Sequence, residues 1–122
     1  MTENDPLTEK IIACCYKVHS ELGPGFKEKV YNNALKLEFD QEEIDYETEK
    51  QFGVCYHNKK VGKLIVDLIV ESKVIIEIKA LTGKVPSVFK YQLLSYLKVS
   101  DLKVGLLINF GNKSCQVNRF VN

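Results

Sequence analysis

Two runs of aliphatic and β-branched residues, Val61 to Val70 and Lys73 to Lys79, stand on either side of Glu71-Ser72 and constrain the fold more than any other feature. Short apolar runs bounded by turn residues read as strands, and two joined this closely read as a hairpin. Because the aliphatic residues are consecutive rather than alternating, the hairpin is expected to be buried on both faces at the centre of a sheet. Asp67 breaks the pattern in Leu64-Ile65-Val66-Asp67-Leu68-Ile69-Val70. A carboxylate among aliphatic neighbours is costly to bury, so Asp67 is expected to meet a cation, a hydrogen-bond network or a metal.

The second run supplies candidate partners. In Val74-Ile75-Ile76-Glu77-Ile78-Lys79 the strand period puts Glu77 and Lys79 on one face and Val74, Ile76 and Ile78 on the other. Hairpin pairing then brings Asp67, Glu77 and Lys79 together. Two carboxylates about 4 Å apart repel unless a cation bridges them, and oxygen ligands with spare water positions suit Mg²⁺ or Mn²⁺. A lysine beside them can orient or deprotonate a water, or offset charge on a phosphate in its transition state. This is the chemistry of metal-assisted phosphodiester hydrolysis. The same spacing also allows a buried Asp67–Lys79 ion pair with Glu77 at its rim, and spacing alone does not separate the two.

Around this hairpin the chain reads as helices and further strands. Asp5 before Pro6 is an N-cap followed by a proline at the first helical position, and Ile11, Ile12, Cys15, Val18 and Leu22 recur at helical spacing over about 6–21. Leu22-Gly23-Pro24-Gly25 ends that helix. A second runs from Lys27 to about Gln41 with Val30, Tyr31, Ala34, Leu35 and Leu37 as its expected buried stripe. Seven carboxylates between Glu38 and Glu49 argue against a core element there, and the alternation of Phe52, Val54 and Tyr56 suggests a strand before the turn His57-Asn58-Lys59-Lys60. Pro86 to Val99, with Val88, Tyr91, Leu94 and Leu97, reads as a third helix. Lys103 to Phe110 and Ser114 to Val121 read as closing strands around Gly111-Asn112-Lys113. The expected order is ααβββαββ, in one α/β domain spanning 1–122 with a mixed sheet flanked by helices.

Composition fits this reading. In 122 residues, 45% are hydrophobic and 27% charged, with seven Gly and three Pro, which excludes a disordered or collagen-like chain. No apolar run reaches the roughly 18 residues of a membrane span, and the acidic start MTENDPLTEK is unlike a secretory signal, so a cytoplasmic protein is expected. Cys14, Cys15, Cys55 and Cys115 form no C-x-x-C pair, and Cys15 with His19 and Cys55 with His57 fall short of a zinc ligand set. They read as small apolar fillers. Charge is uneven: residues 1–54 hold six lysines against twelve acids, whereas 55–122 hold eleven basic residues against four acids. Such asymmetry suits a polyanion-facing side, and it equally suits a solvated acidic helix beside a lysine-rich remainder.

Two further polar pairs share a helical face. Glu28 precedes Tyr31 by three residues just beyond Gly23-Pro24-Gly25, where a carboxylate is also favoured simply by the helix dipole. Gln92 and Tyr96 stand at i, i+4 on the third helix, as groups able to hold a phosphate oxygen, a base or the lysine, or as a polar rim. His19 is expected to pack near the end of the first helix.

Taken together, Val18-His19, Leu22-Gly23-Pro24-Gly25 and Gly25-Phe26-Lys27-Glu28-Lys29-Val30-Tyr31 resemble the signature of the GxxExxY proteins, a prokaryotic group within the PD-(D/E)XK nuclease superfamily. The likeness continues through Asp67-Leu68-Ile69-Val70-Glu71, Ile76-Glu77-Ile78-Lys79-Ala80, Gln92-Leu93-Leu94-Ser95-Tyr96-Leu97-Lys98 and Gly105 to Gly111, covering about residues 8–121. The resemblance implies a restriction-endonuclease-like core. By similarity, Asp67, Glu77 and the backbone carbonyl of Ile78 would bind Mg²⁺ or Mn²⁺, Lys79 would act on the attacking water, and Glu28 would be an accessory carboxylate at the metal. Gln92 and Tyr96 match the QxxxY motif of the RecB-like branch, where they help arrange the site and the DNA strand. One position departs from the family: where an arginine commonly stands two residues before the aspartate, this chain has Ile65, with Lys63 nearby.

The expectation is therefore a metal-dependent nuclease acting on DNA or RNA, with a catalytically silent nucleic-acid-binding or interaction module as the alternative. Lys63, Lys84 and Lys90 are the lysines expected to touch phosphates, contacts that position a strand without specifying its sequence. Specific DNA interfaces bury ~1,000 Å² or more of protein surface, so a chain this short is expected to act as a homodimer or with a partner that supplies target recognition. The apolar run Val104 to Phe110 suits either a dimer edge or burial inside the sheet.

Overall fold

The computed structural model describes residues 5–122. The acidic start of the chain falls partly outside them. The elements are α1 (Pro6–Leu22), α2 (Glu28–Gln41), β1 (Tyr46–Tyr56), β2 (Lys59–Val70), β3 (Val74–Lys79), α3 (Val88–Ser100), β4 (Val104–Asn109) and β5 (Gln116–Val121), in the expected order ααβββαββ. The strands form one mixed sheet in the order β1-β2-β3-β4-β5; β1–β2 and β2–β3 pair antiparallel, and α3 makes the crossover between the neighbouring strands β3 and β4. No helix among the described residues is long and apolar enough to cross a membrane. By packing, the chain gathers into two compact units.

Among the described residues, one unit comprises residues 5–45 with Ile78–Val85 and Ile108–Asn118. Asp5 caps α1 by accepting from the Thr8 amide at 2.7 Å, and Gly23, at φ 68°, ends it by donating its N–H to the His19 carbonyl at 2.8 Å. α1 packs against α2 and buries Ile11, Cys14, Cys15 and Val18; α2 buries Tyr31, Leu35 and Phe39, a strict i, i+4, i+8 row. The wider stripe expected on α2 is corrected, because Val30 is 38% and Leu37 67% exposed. The helix carries two apolar rows, and only the one through Tyr31 has a surface to bury against. The Tyr31 ring stacks on Phe110 at 4.6 Å, while its hydroxyl donates to the Gly23 carbonyl at 2.6 Å and accepts from the Phe26 amide at 3.1 Å.

The segment after β3 is held in the same unit by side chains standing in for a strand. Phe110 donates its N–H to the Lys79 carbonyl at 2.9 Å. Two residues on, Leu81 gives its N–H to Asn109 Oδ1 at 2.8 Å and accepts from Asn109 Nδ2 at 2.9 Å. Two further on, Gly83 does the same with Asn112, at 2.7 and 2.9 Å. Asn109 is 1% exposed, and its Oδ1 also accepts from the Gly111 amide at 3.1 Å. At Gly111 a Cβ would lie 2.4 Å from the Leu81 backbone, so only glycine permits this approach. His19, buried and stacked near Phe110, donates from Nε2 to the Asn112 carbonyl at 2.8 Å, as expected of a packed helix-end histidine.

The other unit comprises Tyr46–Glu77, Pro86–Leu107 and Arg119–Asn122. β1 begins at Tyr46, well inside the stretch whose carboxylates argued against a core element. Those charges exclude a central strand and suit an edge: β1 is almost wholly exposed, and edge strands commonly carry charge, which discourages pairing with another chain. His57 and Asn58, both at positive φ between the paired Tyr56 and Lys59, make the two-residue turn that matches strand twist. The expectation of a hairpin buried on both faces holds for β3 and for the Leu68–Val70 end of β2 alone; from Lys59 to Lys63 β2 is exposed. α3 turns Leu93 and Leu97 inward rather than Val88 and Tyr91, which are 61% and 63% exposed. Gly105 on β4 fixes that rotation, since a Cβ there would lie 2.8 Å from Leu93 Cδ1. β4 lies between β3 and β5 and is buried from Gly105 onward, which accounts for the apolar run Val104 to Phe110 without a dimer edge.

This packing has two measurable consequences. Asn109→Ala strips partners from both backbone groups of Leu81 and from the Gly111 amide, so urea denaturation should show a loss of roughly 2–4 kcal/mol; a loss under about 1 kcal/mol would mean that water replaces the amide. The thiols should separate by reactivity. Burial pushes Cys14 and Cys115 up to about 11 and Cys15 well above its ordinary value, with Glu38 and Glu42 adding to the rise at Cys14. A raised thiol pKa means less thiolate below that value, so near pH 8 iodoacetamide should label the exposed Cys55 first, the half-buried Cys115 more slowly, and the buried Cys14 and Cys15 only after denaturation.

Candidate active site

The β2–β3 turn sets the register on which the site depends. Lys73 donates its N–H to the Val70 carbonyl at 2.9 Å across Glu71 and Ser72, both at positive φ, and the pairs Val70↔Val74, Ile69↔Ile75 and Leu68↔Ile76 follow. The paired stretch ends at Leu68↔Ile76, and the same register carried one step further sets Asp67 across from Glu77. Paired residues share a face, so Asp67, Glu77, Ile69 and Ile75 lie on one side of the sheet. Along that side the surface passes from dry to wet: Ile69 and Ile75 are fully buried, Glu77 is 6% exposed, and Asp67, Ile65 and Lys63 are exposed.

The order of burial among the acids reverses the expectation. Asp67, read as a carboxylate sunk among aliphatic residues, is exposed, whereas Glu77 is buried. The aliphatic neighbours of Asp67 in sequence suggested a strand covered on both faces, but at this point only the face of Val66 and Leu68 is covered. An ion pair with Asp67 inside and Glu77 at the rim is the reverse of this arrangement.

α3 supplies the third group. Tyr96 is half-buried and Gln92, one turn earlier, is exposed. Burial raises the Tyr96 phenol above its ordinary value, and the Glu77 and then the Asp67 carboxylate push it further the same way. Two negative charges therefore bear on one hydroxyl, which stays protonated and able to donate at neutral pH.

The remaining expected residues are dispersed. Lys79 lies on β3 two residues beyond Glu77, half-buried, with its carbonyl fixed by Phe110; Ile78 between them is buried. Glu28 is the exposed first residue of α2, in the unit that also contains Lys79. Lys84 is exposed in the segment held by Asn112, and Lys90 on α3 lies over the Phe120 ring at 5.7 Å. One residue carries a signal that the sequence reading passed over. Glu49 is the β1 partner of Asp67 by register, yet the pairing passes from Thr48↔Leu68 to Lys50↔Val66, and Glu49 takes a φ of 52°. A non-glycine residue there costs roughly 1–2 kcal/mol. Like charges facing each other across a ladder are unfavourable, and that was the available signal.

Among the described residues no group of three or more His, Cys, Asp and Glu side chains is gathered to hold a metal. Asp67 and Glu77 offer two hard oxygen donors on one sheet face, with the phenol of Tyr96 registering their combined field. That donor set fits Mg²⁺ or Mn²⁺ bound through one or two carboxylates, the rest of the shell coming from water and phosphate. On the Asp67 side these positions are open to solvent.

No curated protein matches this sequence. The chain is similar in fold to the crystal structure of SSO0001, with a TM-score of 0.57 at 16% identity, over 100% of this chain and 70% of that one. The family model of the PD-(D/E)XK nuclease superfamily matches residues 5–120, nearly all of the described chain and every residue of the site above. The chain belongs to the PD-(D/E)XK nuclease superfamily.

Proposed function

We propose that this protein is a metal-dependent nuclease that hydrolyses phosphodiester bonds of DNA, with RNA as the second substrate to test, and that it acts in the cytoplasm. The observation that carries the reading is the β2–β3 register, which one step beyond Leu68↔Ile76 sets Asp67 across from Glu77, both acting on Tyr96, with Lys79 two residues further along β3. Asp67, Glu77 and the carbonyl of Ile78 are the groups that would hold Mg²⁺ or Mn²⁺, with Glu28 as an accessory carboxylate. A divalent ion so held would supply Lewis-acid polarisation of the phosphate and lower the pKa of a water.

The chain's own groups divide the rest of the work. Glu77, fixed in the buried strand, sets the position of the site, and the exposed Asp67 meets the incoming phosphate group. Lys79 orients the attacking water through its N–H donors and offsets the charge that gathers on the phosphate oxygens. Tyr96, kept protonated, and Gln92 donate to a phosphate oxygen or a base of the strand. The Gly25-to-Tyr31 run and the Gln92/Tyr96 pair support placing the chain with the GxxExxY proteins and the RecB-like branch. Target recognition would come from a second copy or a partner protein.

Calorimetric titration of Mg²⁺ and Mn²⁺, run alongside cleavage of single- and double-stranded DNA and RNA, tests this. Asp67→Asn and Glu77→Gln should each abolish metal binding and cleavage with the fold retained by circular dichroism. Lys79→Met should keep metal binding and lower cleavage by about a hundredfold or more. Cleavage unchanged in all three would remove this site from consideration, and nucleic-acid binding without any metal-dependent product would make the protein a binding module.

A further inference from the structure

β1 and β2 carry lysines beyond the part of the hairpin that β3 covers. From Lys50 to Val66 the chain has four lysines and no aspartate or glutamate. Lys50 is engaged, 3.1 Å from Glu47 and over the Phe52 ring. Lys59, Lys60 and Lys63 are exposed and make no ion pair with any described residue.

Which way these lysines face is set by a bulge. Alternation along β2 puts Lys63 on the face of Ile65 and Asp67. Lys60, three residues away, would fall on the opposite face of a regular strand. The register, however, steps from Gly53↔Lys63 and Val54↔Gly62 to Cys55↔Lys60, which leaves Val61 as an extra residue and returns Lys60 to the face of Lys63. Gly53 agrees with this, because a Cβ built on it would meet Lys60 Cε at 3.9 Å, so the lysine stem lies across the face that the glycine leaves bare. At about 3.3 Å per residue, Lys63 stands roughly 13 Å and Lys60 roughly 20 Å from Asp67 along one side of the ribbon. Lys59, paired with Tyr56, faces the other way.

We propose that this face of the β1–β2 hairpin is a track for a nucleic-acid backbone, on which Lys63 and Lys60 hold phosphates on one side of the phosphate engaged at Asp67 and Glu77. The inference rests on the nuclease reading of those two acids. Lysine is a flexible point charge that suits phosphates and reads no base edge, so the track binds without sequence preference and with strong dependence on salt.

The test is anisotropy of fluorescently labelled single-stranded DNA, duplex DNA and single-stranded RNA of one sequence, titrated with protein across a salt series in EDTA so that nothing is cut. Lys60→Ala with Lys63→Ala should reduce the slope of log K against log salt by about two on duplex and roughly 1.4 on a single strand, since each phosphate contact contributes ~0.9 or ~0.7. Lys59→Ala, which removes the same charge from the other face, should leave the slope as it is. All three substitutions are at exposed positions, and matching melting temperatures would establish an intact fold. An unchanged slope in the double variant, or an equal loss in Lys59→Ala and Lys60→Ala, overturns the track while wild-type cleavage leaves the nuclease reading standing. A wild-type chain with no affinity for any of the three nucleic acids overturns the track, and absence of metal binding and of cleavage together would overturn the nuclease reading separately.

Discussion

The register of the β2–β3 turn is the constraint on which the candidate site depends. Glu71 and Ser72 adopt left-handed backbone, Lys73 closes the turn on Val70, and every later pair is counted from there. A slip of one residue would carry the side chains of one strand to the opposite face, separating Asp67 from Glu77 and turning Ile69 or Ile75 outward. The cost of exposing those isoleucines, which are fully buried, protects the pairing of the acids. Hydrophobic burial at one end of the hairpin thus fixes polar geometry a short way along the same face, where the carboxylates alone would repel.

A second device anchors the chain beyond Lys79. Residues 79, 81 and 83 are held in turn by the backbone of Phe110, the amide of Asn109 and the amide of Asn112. The ladder continues after strand geometry ends, with side chains replacing the missing partner strand. If Lys79 acts as proposed, a rigid support of this kind would matter, because a catalytic group must be held within a fraction of an ångström of its working position. Tyr31 acts similarly at the Gly23-Pro24-Gly25 turn: it is buried on Phe110 with its hydroxyl shared between Gly23 and Phe26. In the Gly25-to-Tyr31 run the tyrosine therefore has a structural task, whereas Glu28 is exposed.

Much of the fold was legible because its signals are local. The Asp5-Pro6 cap, the apolar runs of β2 and β3 and the His57-Asn58 turn each act through neighbours in sequence, and the order ααβββαββ comes from them. The misreadings share one cause, which is that burial depends on which elements extend over which. Asp67 stands in an aliphatic run, yet only one face of β2 is covered at that point. α2 offers rows through both Tyr31 and Leu37, and α3 through both Leu93 and Tyr91; the choice is made by Phe110 in one case and by the bare Gly105 in the other. Asn109 and Asn112 in sequence look like ordinary turn residues, since the backbone groups they serve lie 28 and 29 positions away.

The exposed half of the hairpin obeys the same balance. A strand stretch paired and covered on both sides is best apolar, as Val74-Ile75-Ile76 of β3 is, whereas one that extends past its neighbour is released from that demand and can carry charge without desolvating it. β2 changes character along its length accordingly, from Leu68-Ile69-Val70 inside to Lys59, Lys60 and Lys63 outside. Asp67 stands at the transition, with buried Glu77 opposite and open solvent beyond Ile65. Under the proposed nuclease reading that boundary would have a physical advantage: the buried side would supply rigidity around Glu77, and the wet side would admit a phosphate at Asp67 without the protein having to move.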